Sequence, residues 1–213
     1  MSPHEAATPH DPGAARALVD AVRFFHGQGW CPATSSNFSY RAEDQDGCWI
    51  SQSGVDKGAF GPEHLMPVDL DGVPVPPESR RPSAETLLHT LAYRLRPELR
   101  SVLHVHAPRS VVMSRAALKE GALRFEGWEL QKGFAGTTTH DCASVLPIFD
   151  NDQDMAALAA RVSPVLEKDP TLPGFFLAGH GLYAFGRSVA EAKRHVEVVE
   201  ALLVQLQLWR SLS

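Results

Sequence analysis

Hydrophobic residues recur at helical spacing near both ends of the chain. Asp11-Pro12 has the form of a helix N-cap followed by a proline in the first turn, and apolar positions then repeat every three or four residues up to Gly27. The stretch 189–208 repeats in the same way. The pattern therefore predicts an amphipathic helix at each end of the chain, each packing one face on a core.

Between these helices, short apolar runs alternate with polar or proline-rich stretches. Runs at 38–41 and 48–51, separated by a polar segment, predict a hairpin, and 66–82, with its prolines, predicts a surface connection that holds short strand pieces. The further predicted elements are a helix capped by Ser83 and ending near Leu95, a strand over 101–106, a helix from Pro108 through Lys119, a helix that starts at 151–154 and ends before Pro170, and two buried strands within 175–186. Helices and strands interleave without an internal repeat, which predicts a layered α/β sandwich.

Length and composition favour a single catalytic domain. The chain has 213 residues, of which 44% are hydrophobic and 21% charged, the ordinary composition of a globular protein. We assign this domain to residues 11–213 and interpret residues 1–10, which are small, polar and proline-containing, as a flexible N-terminal arm. The formal net charge of -5 argues against a nucleic-acid partner, because binding to a phosphate backbone needs a dense basic surface.

Cysteine usage and hydropathy predict a cytoplasmic protein. Cys31, Cys48 and Cys142 are widely spaced, odd in number and form no CxxC pair, so neither a disulfide framework nor a thiolate zinc site is indicated. The first residues lack a basic segment followed by an apolar run, and no stretch approaches the roughly 18 uninterrupted apolar residues of a membrane span. We expect no membrane partner.

Three histidines form a candidate metal site. Residues i and i+2 of a strand point to the same side, so His104 and His106 present two imidazoles on one face, although a pair of ordinary polar residues at a strand end has the same pattern. His180, flanked by glycines inside an apolar run, is the best third donor, with a turn histidine as the alternative. Catalytic zinc sites typically use three protein ligands, so we predict one Zn²⁺ per chain. We interpret the other seven histidines as surface or locally hydrogen-bonded residues: His4, His10, His26, His64, His89, His140 and His195.

Two loops rich in hydroxyl groups and glycine precede these histidines, at 34–37 and 51–58. Loops of this kind expose backbone N–H groups that can surround a phosphate, although each also fits an ordinary turn. The predicted substrate-binding residues lie in these loops or at the following helix start: Ser36, Asn37, Ser53, Gly54, Lys57 and Ser83. Neither loop is by itself specific for phosphate, because such residues also make ordinary turns.

The order of these motifs resembles that of the class II (metal-dependent) aldolase and epimerase family. The motifs are the Ser36-Asn37 loop, the Ser53-Gly54-x-x-Lys57-Gly58 loop, Pro82-Ser83-x-Glu85 before a helix, His104-x-His106, and Gly179-His180-Gly181. The resemblance covers residues 14–205. It implies a three-layer α/β/α sandwich with a central, mainly antiparallel sheet, a zinc site of three histidines, and a tetramer of identical chains.

A second set of segments, at 127–133, 137–140 and 147–154, looks like that of the dehydratases in this family and is unusual for its sugar-phosphate aldolases. The resemblance implies a zinc-dependent hydro-lyase that removes water from a phosphorylated ketose in methionine salvage. A class II aldolase that cleaves a fuculose- or ribulose-phosphate-like sugar is the alternative. A scaffold without catalytic activity is disfavoured, because three candidate ligands and two carboxylates occur together.

The division of labour between the two candidate catalytic carboxylates is open. Glu129 is our choice for the general acid/base that takes the C3 proton of the ketose and assists loss of the C4 hydroxyl, a role that needs a pKa raised in a partly dry site. Glu85 is expected to hold the metal or its water when substrate is absent. It stands where an animal-type dehydratase is expected to have a cysteine, and it matches the acid of the aldolases. The plain alternatives are a helix-start carboxylate for Glu85 and a surface residue near Lys132 for Glu129.

Overall fold

A central β-sheet organises the chain. The computed structural model describes residues 11–43, 45–76 and 78–212, so the predicted arm at 1–10 lies outside the described residues. The strands are β1 (Asn37–Tyr40), β2 (Cys48–Ser51), β3 (Leu65–Val68), β4 (Ser101–Val105), β5 (Ala122–Glu126), β6 (Ala143–Phe149), β7 (Gly174–Leu177) and β8 (Gly181–Gly186). They form an eight-stranded sheet in the order β3-β2-β1-β4-β8-β7-β6-β5. Neighbouring strands are antiparallel except for the parallel pair β6 and β7, which confirms the predicted mainly antiparallel sheet.

Helices cover both faces of the sheet. They are α1 (Pro12–Gly27), α2 (Thr86–Leu95), α3 (Pro108–Ala116), α4 (Met155–Lys168) and α5 (Val189–Leu212). One hydrophobic core joins α1, α3 and α5 to one face, and a second core joins α2 and α4 to the other. The predicted three-layer α/β/α sandwich is thus confirmed. No helix in the described residues is both long and apolar enough to cross a membrane.

Pleating divides the side chains of β4 between the two cores. Leu103 and Val105 pack into the core under α1 and α5, and Val102 packs into the core under α2 and α4. His104 therefore lies on the α2 side of the sheet, at the end of a strand that is paired on both edges. Central placement and double pairing hold this histidine on a rigid element.

Two predicted helix boundaries are corrected by the structure. Ser83 does not cap α2, because residues 83–86 form a turn in which the Ser83 carbonyl accepts the Thr86 N–H, and the helix begins only at Thr86. This turn leaves Glu85 at the N-cap position without a capping bond. The helix from Pro108 ends at Ala116 and not at Lys119, because a turn leads to Gly121, whose φ is 71°.

Strands β5 and β6 were not predicted. In β5, buried Leu123 and Phe125 alternate with exposed Arg124 and Glu126, the pattern of a strand with one solvated face. In β6, Pro147 interrupts an otherwise strand-like run. The two strands form the antiparallel hairpin at one edge of the sheet.

Candidate functional site

The ends of β4 and β8 bring the three predicted histidines together. His104 lies near the end of β4, His106 follows this strand, and His180 lies in the tight turn between β7 and β8. The Nε2 atom of His104 is 2.8 Å from Nε2 of His106 and 3.4 Å from Nε2 of His180. Glu85 completes the group, with carboxylate oxygens 3.3 Å from Nε2 of His104 and of His180. One potential ligand atom from each of the four residues lies within 4.8 Å of the others.

The two glycines that flank His180 are required for different reasons, a left-handed backbone conformation and a close backbone contact. Gly179 has a φ of 67°, the left-handed conformation that glycine adopts without strain. A Cβ at Gly181 would lie 2.1 Å from the Val105 carbonyl oxygen and 3.2 Å from Cε1 of His104. Glycine at both positions therefore lets the turn place His180 directly beside the end of β4.

Hydrogen bonds on the far side of two imidazoles fix their tautomers. Nδ1 of His104 lies 3.0 Å from the Leu182 carbonyl oxygen, and Nδ1 of His180 lies 3.0 Å from Oδ1 of Asn151. Both partners are acceptors, so each Nδ1 carries the hydrogen. The Nε2 lone pairs of His104 and His180 are thereby directed into the cluster, as in metal-ligating histidines.

Burial keeps two of the imidazoles, those of His104 and His106, neutral. It lowers the pKa of His104 well below its ordinary value, and burial together with the nearby His180 lowers the pKa of His106 to about 4. Burial alone would raise the pKa of Glu85. The neighbouring His104 and His180 and the hydrogen bond from the Tyr183 hydroxyl hold it well below its ordinary value instead. At neutral pH the cluster therefore offers nitrogen lone pairs and a carboxylate.

These donors fit a divalent first-row cation. Tetrahedral ligands 2.0–2.1 Å from zinc lie about 3.3 Å apart, close to the observed separation of the His104 and His180 nitrogens. Without a cation, converging lone pairs repel one another, whereas a cation attracts all of them. The arrangement of three nitrogens and one carboxylate thus matches what a metal needs, although the same donors accept several metals.

A polar cavity of about 180 Å³ adjoins the cluster. The structure places all six predicted substrate-binding residues in its wall: Ser36, Asn37, Ser53, Gly54, Lys57 and Ser83. Glu85 and His106 line the same cavity, so the candidate anion loops and the candidate metal site share one space. A ligand with a phosphate at one end and a metal-binding group at the other would fit this arrangement.

Lys57 lies inside the cavity wall and is 1% exposed. Its ammonium group donates to the carbonyls of Thr34 at 3.1 Å and Val55 at 2.9 Å, which ties the two loops together. Burial lowers its pKa. The neighbouring loop is strained, since Ser36 adopts a φ of 71° without being glycine. Both features indicate a preformed loop pair beside the metal cluster.

Glu129 lies apart from the cluster in its own chain. It opens the 3₁₀ turn Glu129–Gly133, which follows the edge strand β5, and β5 is four strands away from β4, about 19 Å at the usual strand spacing. Its side chain is 72% exposed and pairs with Lys132 at 2.6 Å and His140 at 3.3 Å. Hydrogen bonding by Lys132 lowers its pKa. The dry surroundings expected for an acid/base with a raised pKa are therefore not provided by this chain alone.

Three residues near the cluster were not singled out from the sequence. Asn151, in a run interpreted as a helix cap, orients His180, while the cap of α4 is Asp154. Tyr183 stacks on the His104 ring with centroids 4.1 Å apart and donates to Glu85. His89, interpreted as a locally bonded residue, is fully buried behind the cluster. Its spacing of four residues from Glu85 was the signal that could have identified it.

The fold and the cluster together define a class of protein. The family model described as Class II Aldolase and Adducin N-terminal domain matches residues 16–207. The chain therefore belongs to the class II aldolase family.

Named relatives refine the comparison. The methylthioribulose-1-phosphate dehydratase of Xanthomonas campestris pv. campestris (strain 8004) is 48% identical over 201 residues, which is 94% of this chain and 90% of the relative. The enzyme of the same name from Enterobacter sp. (strain 638) is 48% identical over 185 residues, or 87% of this chain and 89% of the relative. The crystal structure of l-fuculose-1-phosphate aldolase from Thermus thermophilus has a TM-score of 0.70 at 25% identity and covers 92% of this chain and 96% of that one.

Proposed function

We propose that this protein is a lyase that dehydrates 5-methylthioribulose 1-phosphate to 2,3-diketo-5-methylthiopentyl 1-phosphate in methionine salvage. The single observation that carries the proposal is the shared space of the histidine cluster and the polar loops, in a chain whose relatives carry the dehydratase name. The free cysteines of the described residues are compatible with the cytoplasmic location expected from the sequence.

The reaction requires a polarised carbonyl. We assign His104, His106 and His180 as ligands of one Zn²⁺ per chain, with Glu85 as a further ligand in the absence of substrate. When bound, the cation would act as a Lewis acid on the C2 carbonyl and would thereby acidify the proton on C3. The chain holds His104 and His180 by hydrogen bonds on Nδ1, so that their Nε2 donors are in place before substrate arrives.

The polar loops hold the phosphate. Ser36, Asn37, Ser53, Gly54 and Ser83 offer hydroxyl, amide and backbone donors around the cavity, and Lys57 holds the two loops in register while contributing positive charge. Charge-assisted contacts to the remote phosphate orient the ketose so that C3 and C4 face the acid/base.

The elimination itself needs one group that moves a proton. Glu129 as a carboxylate takes the proton from C3, the C3–C4 double bond forms, and the C4–O bond breaks as the same group returns the proton to the leaving hydroxyl, releasing water. The resulting C3 enol becomes the C3 ketone by proton transfer to C4. A second copy of the chain must supply this Glu129, because its position at the sheet edge is remote from the cluster of its own chain.

We infer a homotetramer in which neighbouring copies complete each other's sites. The edge that carries Glu129 adjoins the end of α5, where Leu208, Trp209 and Leu212 are 59%, 61% and 84% exposed. Burial of such side chains against another copy is favourable, and it would also remove water from around Glu129. That change would raise its pKa toward the value that an acid/base needs.

A sugar-phosphate aldolase is the second candidate, and one observation favours it. Glu85, which matches the acid of the aldolases, lies in the cluster itself, 3.3 Å from two histidine nitrogens. An acid/base at that position would allow cleavage of a C–C bond without Glu129. The two functions therefore differ in which carboxylate carries the proton.

The deciding experiment supplies the purified, zinc-loaded protein separately with 5-methylthioribulose 1-phosphate and with fuculose 1-phosphate and follows both by ¹H and ³¹P NMR. We expect the first to give a diketone and water and the second to remain unchanged. Formation of dihydroxyacetone phosphate and an aldehyde from the second would establish the aldolase instead. No turnover of either compound would reject both assignments.

A further inference from the structure

A line of buried polar side chains runs from the metal cluster into the interior between α2 and β1. Glu85, His89 and Tyr93 follow one another at intervals of four residues and form one stripe on α2. Asn37 and Ser39 alternate on β1 and face that stripe. His89, Ser39 and Tyr93 are each 0% exposed, so water does not reach them in this structure.

The hydrogen bonds along this line have one consistent direction. Asn37 donates its Nδ2 to a carboxylate oxygen of Glu85 at 3.1 Å. The amide oxygen of Asn37 then faces Nε2 of His89 at 2.5 Å, which requires a hydrogen on that nitrogen. Asn37 cannot turn its amide over without setting two oxygens against each other.

The directions of the remaining hydrogen bonds depend on the protonation state of His89. Burial lowers the pKa of His89 to about 3, so the ring is neutral and its Nδ1 is an acceptor. Ser39 donates its hydroxyl to this Nδ1 at 2.8 Å, and Tyr93 donates in turn to the Ser39 oxygen at 2.8 Å. Every member of the line has a partner, a condition under which buried networks rigidify a site.

We propose that His89 is a positioning residue that holds the amide of Asn37 in one orientation and thereby keeps the Glu85 carboxylate on the metal cluster. His89 does not line the cavity, and its hydrogen bond toward Glu85 runs through Asn37, while the edge of its ring also packs against Tyr183 with centroids 5.8 Å apart. Tyr183 supplies the second donor to Glu85 from β8, so loss of His89 loosens the carboxylate without releasing it. The proposal rests on the proposed metal site and is independent of which ketose is the substrate.

The test compares metal affinity in three full-length proteins. His89→Leu removes the hydrogen bond to Asn37, whereas His89→Gln keeps an amide N–H that can reach the same oxygen. Affinity for Zn²⁺ is measured by competition with a chromophoric chelator, and the visible spectrum of Co²⁺-loaded protein reports the ligand geometry. We expect about 10–100-fold weaker binding and an altered spectrum in His89→Leu, with substantial recovery in His89→Gln.

A matched control separates positioning from general destabilisation. His195 is also buried, with one nitrogen bonded to the Phe185 carbonyl and the other to the Ala135 N–H, but it lies outside the line. His195→Leu should lower the melting temperature to a similar degree while leaving metal affinity and the Co²⁺ spectrum unchanged in the folded protein.

Four outcomes would each reject part of the account. Equal metal affinity in wild type and folded His89→Leu would reject the positioning role, as would an equal loss in His195→Leu. If His89→Leu does not fold, the His89→Phe and Asn37→Ala single and double variants replace it, because Phe also lacks the hydrogen bond to Asn37, and additive effects on metal affinity in that cycle would reject the coupling. A wild-type protein that binds no Zn²⁺ or Co²⁺ would reject the metal site itself.

Discussion

Two regions of the sheet, the centre around β4 and the edge at β5, differ in how complete their candidate catalytic groups are within one chain. At the β1-β4-β8 side, Glu85, His104 and His180 lie within reach of one another, and hydrogen bonds to the Leu182 carbonyl and to Asn151 fix the orientations of the two imidazoles. At the β5 edge, Glu129 is largely exposed and pairs only with surface residues. The candidate ligand set of the first region is complete within one chain. We propose that the second region acquires a dry environment only when another copy of the chain covers it, so that substrate activation would depend on one chain and proton transfer on two.

The largest expected effect on turnover comes from the metal cluster. His106→Ala should remove one of three nitrogen donors, lower bound metal and reduce turnover by roughly a thousandfold or more, while the fold is kept, because His106 follows β4 and does not pack in a core. Metal analysis, circular dichroism and steady-state kinetics on the same sample provide the check. Full activity in metal-free His106→Ala would disprove the metal assignment.

The second-largest expected effect on turnover comes from Glu129 at the β5 edge. Glu129→Gln should keep its metal and bind substrate, yet lose about 10²–10⁴-fold in kcat, the usual contribution of a general acid/base. Glu85→Gln should differ by weakening metal or substrate binding as well. Normal turnover in Glu129→Gln, combined with an inactive Glu85→Gln that retains its metal, would reverse the two roles and support the aldolase-like assignment.

A smaller effect is expected in the cavity that we propose holds the substrate phosphate beside the metal cluster. Ser53→Ala should raise KM for the phosphorylated ketose by about tenfold with little change in kcat, since it removes one donor to a remote group. Lys57→Met should act more strongly, because Lys57 also ties the two loops together. An unchanged KM in both variants would show that the phosphate binds elsewhere.

The smallest effect on catalysis is expected from Glu200, which lies in the scaffold and influences stability. Burial raises the pKa of Glu200 on α5 from 4.5 to about 7, although the hydrogen bond from Ser110 and the charge of Arg109 oppose the shift. The folded state therefore binds the proton more tightly, and this contribution to stability is lost as the pH rises from about 4.5 through 7.

Glu200→Gln tests this pH dependence. Relative to the variant, the wild type should lose up to about 3 kcal/mol of unfolding free energy across that interval, as measured by urea titrations at several pH values. A pH-independent difference between the two proteins would mean that Glu200 is not the titrating group.

The parts of the fold that the sequence predicted are those with a strong local pattern. α1 has its Asp11 cap and regular apolar spacing, and β4 and the Gly-His-Gly turn at 179–181 follow from strand alternation and glycine geometry. β5 and β6 were missed because they form an edge hairpin with a solvated face and a proline at 147, which dilutes the strand pattern.

The site divides in the same way. The three histidines and the loop residues were predicted because strand period and loop composition mark them individually. His89 and Asn151 were not predicted, because their roles depend on which strand or turn lies opposite them. The order of strands in a sheet cannot be derived from the local spacing of residues. Within the described residues of one chain the Glu129 carboxylate is exposed, so the dry environment that we propose for it cannot be derived from the sequence or from the single chain.

The central claim is that metal ligands and acid/base come from different copies, and subunit mixing tests it most directly. His106→Ala and Glu129→Gln chains, each inactive alone, are co-expressed with different tags and purified as hybrids. If neighbouring copies share sites, up to about a quarter of the sites in random hybrids combine an intact cluster with an intact Glu129, and activity returns in that proportion. Hybrids that stay as inactive as either parent would show that both functions reside within one chain.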